Sequence, residues 1–324
     1  MITADMEIAV VGPGAIGCLL AAHLARAGGT VWLLDHRPER AKLLGERGIT
    51  VESEKGDFHA RMRVTAAPVE IRSAELLILC VKANDTADAA ARLQGSISPE
   101  SHLLTLQNGL GNVERLGEFF GSSQILAGTT SHGATLLEGG RVRHAGYGEI
   151  FMGETGGAAS TLAGRSKLEN LAATFNRAGL EAQVVDDIEK VLWRKLVVNV
   201  GINALTAILG VANGELLRIH DCTSLMDGAV REAVQVARHY GINLNVPEEI
   251  ERVRAVCHST NANISSMLQD VRRKKKTEID QLNGVVVKMA ADCGMTVPVN
   301  ETLTAIVRSL EAGYKFSSLN PDIS

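Results

Sequence analysis

Aromatic residues are scarce: Phe, Trp and Tyr make up 3% of the 324 residues. That argues against the base-stacking platforms that single-stranded nucleic acid requires. An excess of one charge is also missing, since 33 Lys and Arg against 37 Asp and Glu leave a formal net charge of −4. Such a chain is not built around a phosphate backbone, and no nucleic-acid partner is expected. Cysteine is sparse, at Cys18, Cys80, Cys222, Cys257 and Cys293. The number is odd and no pair has zinc-ligand spacing, so neither a disulfide framework nor a metal site is suggested. Scattered thiols fit a reducing compartment, and no basic-then-apolar signal precedes Asp5 and Glu7. A cytoplasmic location is the expectation. The one long uncharged run, residues 196–213, carries Asn199, Asn203 and Asn213. Three amides would be costly in lipid, so a buried, polar-lined helix is expected there and no membrane partner.

What the sequence does have is material for a packed core. With 45% hydrophobic and 22% charged residues, general disorder is excluded, and 324 residues imply two domains. In the first half, short apolar runs alternate with helix-length segments. Residues 7–11, 30–34, 76–81, 102–106 and 125–128 read as strands and 15–27 as a helix, the pattern of a parallel sheet covered on both faces. Residues 141–153, with glycine turns and alternating apolar side chains, predict an antiparallel strand pair appended to that sheet. Past Asp186 the periodicity becomes helical, with helices expected at 187–209, 223–240, 247–256, 265–292 and 301–311. The expected organisation is an α/β domain over residues 1–185 and an all-helical domain over 186–324, with a ligand in the cleft between them.

The sharpest N-terminal motif is Gly12-Pro13-Gly14-Ala15-Ile16-Gly17, directly after a strand and opening a helix. In a dinucleotide fold of the Rossmann type its glycines serve a tight turn, close approach to pyrophosphate and helix–sheet packing, and the helix N-terminus faces the phosphates. Asp35, ending the second strand, is placed to accept from a ribose 2′-hydroxyl, which favours NADH. His36, Arg37 and Arg40 beside it are suited to a 2′-phosphate, which favours NADPH. The residues leave that choice open. Lys82 and Asn108 each follow a strand end, where such sheets bind ligands; a lysine leaving a strand and a turn-forming Asn-Gly are the plainer readings.

In the helical half, Lys195, Asn199 and Asn203 are spaced four apart and share one helix face. A lysine among apolar neighbours has its pKa lowered, which suits proton donation near neutral pH; pairing with a carboxylate is the alternative. Ser265, Ser266, Gln269 and Asp270 read as the start of a long helix with Glu278 and Asp280 further along, the basic run 272–276 as a solvated face flanking the entry of an anionic substrate, and Glu278 on spacing alone equally as an ordinary surface acid.

Taken together, GPGAIG, Lys82, QNGLGN, WRKLVVNVGINALTA, ANGEL and SSMLQDVRRKKKTEID resemble the ketopantoate reductase family over nearly the whole chain. The resemblance implies a Rossmann-type domain followed by a helical domain like the C-terminal domain of 6-phosphogluconate dehydrogenase. It also implies reduction of 2-dehydropantoate to pantoate with NADPH, on the route to pantothenate and coenzyme A. Lys195 matches the general acid and Glu278 the acidic residue that hydrogen-bonds the substrate. Asn199, Asn203, Asn263 and Ser266 match substrate contacts, and Asn108 a position near cofactor and substrate. The phosphate-reading arginine of the family falls at His36, with Arg37 as its substitute. The rivals are a related reductase of another branched 2-keto acid, an opine or 6-phosphogluconate type of dehydrogenase, and a non-catalytic dinucleotide sensor. A homodimer is left open by the sequence.

Overall fold

A computed structural model describes residues 6–155 and 162–315. The chain divides into two compact units. One comprises Met1–Gln107 with Asn112–Ile188, the other Asn108–Gly111 with Glu189–Ser324.

The first unit contains β1 (Glu7–Val11), α1 (Ala15–Arg26), β2 (Thr30–Leu34), α2 (Pro38–Arg47), β3 (Ile49–Ser53), β4 (Phe58–Ala60) and β5 (Arg63–Thr65). It continues with β6 (Leu76–Leu79), α3 (Thr86–Leu93), β7 (His102–Thr105), α4 (Asn112–Gly117), β8 (Ile125–Thr130), β9 (Gly133–Leu136), β10 (Arg141–Gly146), β11 (Ile150–Gly153), α5 (Leu162–Arg177) and β12 (Ala182–Val184). An eight-stranded sheet has the order β12-β11-β8-β7-β6-β1-β2-β5, parallel except where β11 runs against β8. Along β1, Ile8 and Val10 enter the core on the α1 face, and Ala9 and Val11 the core on the other face. That double burial is why these strands read as unbroken apolar runs. A second sheet, β4-β3-β10-β9, covers the far side of α1. Helix α1 buries residues around its whole circumference, including Cys18, Leu19, Leu20, Ala21, Ala22 and Leu24, as a helix between two layers must.

The expected strand pair over 141–153 is not formed. β10 pairs with β9 and β3 in the small sheet, and β11 pairs with β8 and β12 in the large one. The burial patterns explain the split: β10 alternates as a strand with one face on a core, whereas β11 is buried at three of its four residues.

The second unit is built from α6 (Ile188–Leu209), α7 (His220–His239), α8 (Val246–Ser259), α9 (Ser266–Arg272), α10 (Asn283–Asp292) and α11 (Pro298–Gly313). Helix α6 is the one described helix long and apolar enough to cross a membrane, and it lies in the core through Leu196, Val197, Val200, Ala204 and Leu205. Buried Glu232 on α7 accepts from the backbone amides of Val299 and Asn300 at the start of α11 (both 2.9 Å) and from Asn300 Nδ2 (2.7 Å). Asn283 Nδ2 then donates to Asn300 Oδ1 (3.0 Å) and to the Val200 carbonyl of α6 (3.3 Å). Polar groups buried this deeply are retained only when bonded, so the network fixes α6 against α7, α10 and α11.

The long helix expected over 265–292 is broken. Helix α9 ends at Arg272, a short 3-10 turn spans Ile279–Gln281, and α10 begins at Asn283. Lys274 has φ +50°, Lys274 N donates to Val271 O and Lys275 N to Asp270 O (both 2.9 Å). This is the left-handed helix stop usually built on glycine. Past Arg272, the basic run therefore lies in a turn and not on a helix face.

Candidate active site

In the first unit, Gly12 has φ +101°, and a Cβ there would lie 2.7 Å from Val81 Cγ1. A Cβ on Gly17 would collide with the Gly12 carbonyl oxygen. The glycines thus let the loop press onto the segment that follows β6 and onto the start of α1. Helix α1 starts at Ala15 behind Gly14, with no side-chain cap and no acidic residue in its first turn. Its first amides and partial positive charge remain available to a phosphate. These features fit a dinucleotide pyrophosphate.

At the end of β2, Asp35 is fully buried. Its carboxylate accepts from Arg37 N at 3.1 Å and from Arg40 Nη2 at 2.8 Å, and is also held by Arg40 Nε. His36 and Arg37 are exposed at the same strand end. Lys82 begins the turn after β6, half-buried. Below it, buried Gln107 donates through Nε2 to the Val81 carbonyl (3.0 Å) and to Thr86 Oγ1 (2.8 Å). Thr86 Oγ1 also lies 3.2 Å from Asn112 Oδ1.

In the second unit, α6 carries Lys195, Asn199 and Asn203 in successive turns. Burial pushes the Lys195 ammonium down to about 8, and the Glu278 charge opposes that fall. Glu278 precedes the Ile279–Gln281 turn and accepts from Asn108 Nδ2 at 3.1 Å through Oε2. The Asn108–Gly111 loop is seated on that turn: Leu110 N donates to Gln281 O (3.3 Å), and Gly109 has φ +81°. A Cβ at Gly109 would collide with the Gln281 carbonyl oxygen. An amide, a carboxylate and a partly desolvated ammonium thus gather at one place, a set able to hold a carbonyl compound and protonate its oxygen.

Further along α6, Thr206 Oγ1 bonds the Asn203 carbonyl (3.0 Å) and Ser265 Oγ (2.7 Å). Ser265 caps α9 by accepting from Leu268 N at 3.1 Å. Asn263 and Ser266 are exposed on either side of this cap. Arg194, adjacent to Lys195, pairs with buried Glu249 of α8 at 3.2 Å.

Comparison with known proteins gives this geometry its family. Residues 8–157 match the family model described as ketopantoate reductase PanE/ApbA, and residues 187–311 its C-terminal model. The chain belongs to the ketopantoate reductase family. A 2-dehydropantoate 2-reductase of Halobacterium salinarum is 38% identical over 304 residues, covering 94% of this chain and 98% of that protein. The Vibrio cholerae enzyme of the same name is 32% identical over 95% of this chain and 99% of its own. Among solved structures, a PanE/ApbA family ketopantoate reductase from Ralstonia eutropha superposes with TM-score 0.86 at 31% identity, covering 96% of this chain and 100% of that one. A D-mandelate dehydrogenase with NADH and anilino(oxo)acetate superposes with TM-score 0.88 at 27% identity, over 95% and 99% of the two chains. The protein is therefore an NAD(P)-dependent oxidoreductase of the family whose members are 2-dehydropantoate 2-reductases of pantothenate biosynthesis, acting on a keto acid.

Within this ketopantoate reductase fold, Lys195, Glu278 and Asn108 come together, and Asn199 and Asn203 share the helix of Lys195. Asn263 and Ser266 stand at the edge of the Ser265–Thr206 link. Sequence reading missed the Asp35–Arg40 pair, the Gln107 network and the Ser265–Thr206 link. The spacing of Asp35 and Arg40, five residues across the start of a helix, was the available signal for the first; the others join segments distant in sequence.

Proposed function

We propose that the protein reduces 2-dehydropantoate to pantoate with NADPH, and that Lys195 is the general acid. The observation that carries this reading is the Lys195 ammonium, lowered to about 8 and influenced by the Glu278 charge, with Asn108 bonded to that carboxylate. The GPGAIG loop and the α1 N-terminus would hold the cofactor pyrophosphate, with Lys82 and Asn108 at the adjoining strand ends. Bound there, the dihydronicotinamide supplies the hydride for the keto carbon. As negative charge develops on the carbonyl oxygen, Lys195 stabilises it and donates Nζ–H, leaving a secondary alcohol and a neutral amine. Glu278 orients the substrate hydroxyl, while Asn199, Asn203, Asn263 and Ser266 bind carboxylate and hydroxyl oxygens without competing for the proton.

The end of β2 supports NADPH as the cofactor. Asp35 spends its oxygens on Arg40 and Arg37 N, so the exposed groups are a guanidinium and an imidazole. That supports Arg37 and His36 as readers of a 2′-phosphate.

A second reading, reduction of another 2-keto acid with NADH, draws support from the likeness to D-mandelate dehydrogenase. Steady-state oxidation of NADPH and NADH with 2-dehydropantoate and a panel of 2-keto acids tests both. Fast turnover of 2-dehydropantoate with NADPH is expected. Turnover confined to an aryl keto acid with NADH would replace this reading with the second, and cofactor binding without any turnover would point to a sensor.

A further inference from the structure

We propose that Glu311, near the end of α11, is a positioning residue that holds Glu278 in place through Thr277. The inference rests on the role given to Glu278 above and assigns a support for it. Thr277 is fully buried, and both its backbone N–H and its hydroxyl donate to Glu311 Oε1, at 2.7 and 2.6 Å. Thr277 Oγ1 in turn accepts from Ile279 N at 3.2 Å. One carboxylate oxygen thereby fixes the residues on both sides of Glu278, whose own carbonyl accepts from Gln281 N and Leu282 N (both 3.1 Å).

Two features separate this arrangement from incidental packing. A carboxylate in the last turn of a helix faces the negative end of the helix dipole, so Glu311 gains nothing from its own helix and is matched by the two donors of Thr277. The chain also leaves α9 through the left-handed Lys274 just before Thr277, a conformation that must be over-determined by its surroundings. Helix α11 touches the same turn a second time through Arg308 and Asp280 at 2.7 Å, but Arg308 is exposed and Asp280 only half-buried, and such a pair contributes little.

The test is kinetic, in the full chain, with the 2-keto acid that the wild type turns over. Glu311→Ala should raise KM for the keto acid about ten- to a hundredfold, the size of effect a misplacement of about 1 Å produces, while the NADPH dissociation constant stays unchanged. Glu311→Gln, which keeps a carbonyl oxygen at the same place, should return KM to near wild type, and Thr277→Val should fall between. Arg308→Ala should leave KM unaltered. Glu278→Ala combined with Glu311→Ala should be no worse than Glu278→Ala alone. An unchanged KM in Glu311→Ala, with a raised KM in Glu278→Ala, would overturn the positioning role and leave the reading of Glu278 standing. Wild-type kinetics in Glu278→Ala would overturn both. Should Glu311→Ala fail to fold, Thr277→Val decides, since wild-type KM in that variant removes the link.

Discussion

Lys195 must be charged to donate a proton, yet its surroundings favour the neutral amine. Burial lowers its pKa to about 8 and the Glu278 charge limits the fall. For ketone reduction the active form is the ammonium, so kcat/KM should be level at acid pH and decline as pH rises through about 8. Glu278→Gln removes the opposing charge, and the decline should then begin at lower pH. A profile that keeps its position in Glu278→Gln would exclude the coupling. Lys195→Ala should lower kcat by about 10²–10⁴-fold, the usual range for a lost general acid, while cofactor binding survives. At the other site, Asp35 is engaged by Arg40 and Arg37 stands exposed. Arg37→Ala should raise KM for NADPH about tenfold, consistent with the loss of one charge-assisted hydrogen bond, and leave KM for NADH unchanged. Equal losses with both cofactors would mean that Arg37 does not read the phosphate.

Among the elements, the Asn108–Gly111 loop and the turn after α9 depend on backbone conformation more than on side chains. At Gly109, with φ +81°, an added Cβ meets the Gln281 carbonyl, so Gly109→Ala must move the loop off the turn and with it the Asn108–Glu278 bond. Loss of more than about 2 kcal/mol of stability and a raised substrate KM are expected; unchanged chemical denaturation would contradict the packing. Lys274 presents the opposite case. It holds φ +50° where glycine costs nothing, so Lys274→Gly should stabilise by about 1 kcal/mol, read as a higher denaturation midpoint. The same residue explains why a continuous helix was expected over 265–292, because no glycine or proline marks the stop at 273–278. Strands β1, β2, β6 and β7 were legible because burial on both faces leaves short unbroken apolar runs, and helix α6 because its long apolar stretch carries no charge from Leu196 to Asn213. The small sheet was not, because β4 has three residues and β9 four, too few for alternation to stand out. Of the candidate site, the aligned Lys195, Asn199 and Asn203 could be read from spacing. The Asn108–Glu278 bond joins residues 170 apart in sequence and leaves no local pattern.

For the whole molecule, the response to acid should be governed by imidazoles of the first unit that the proposed chemistry does not use. His132 and His144 are buried in the first unit with Nδ1 and Nε2 3.1 Å apart, and His23 of α1 meets the His144 ring at 5.7 Å. His144 also stacks on Tyr147 at 4.1 Å, and Lys55 lies over the Tyr147 ring, adding a nearby cation. Burial lowers all three imidazoles below their ordinary value of 6.5, helped by their mutual repulsion in His132 and His144, and takes His144 to about 4. With folded values below unfolded ones, the unfolded chain takes up protons first as pH falls. Their contribution is therefore fully present above about 6.5 and is lost progressively as pH falls towards 4. Thermal unfolding midpoints should drop steeply between pH 6.5 and pH 4. His144→Phe keeps a ring against Tyr147 and removes the most strongly shifted of the three, so its midpoint should fall less over the same interval. Parallel curves for wild type and variant would place the acid sensitivity outside this imidazole cluster.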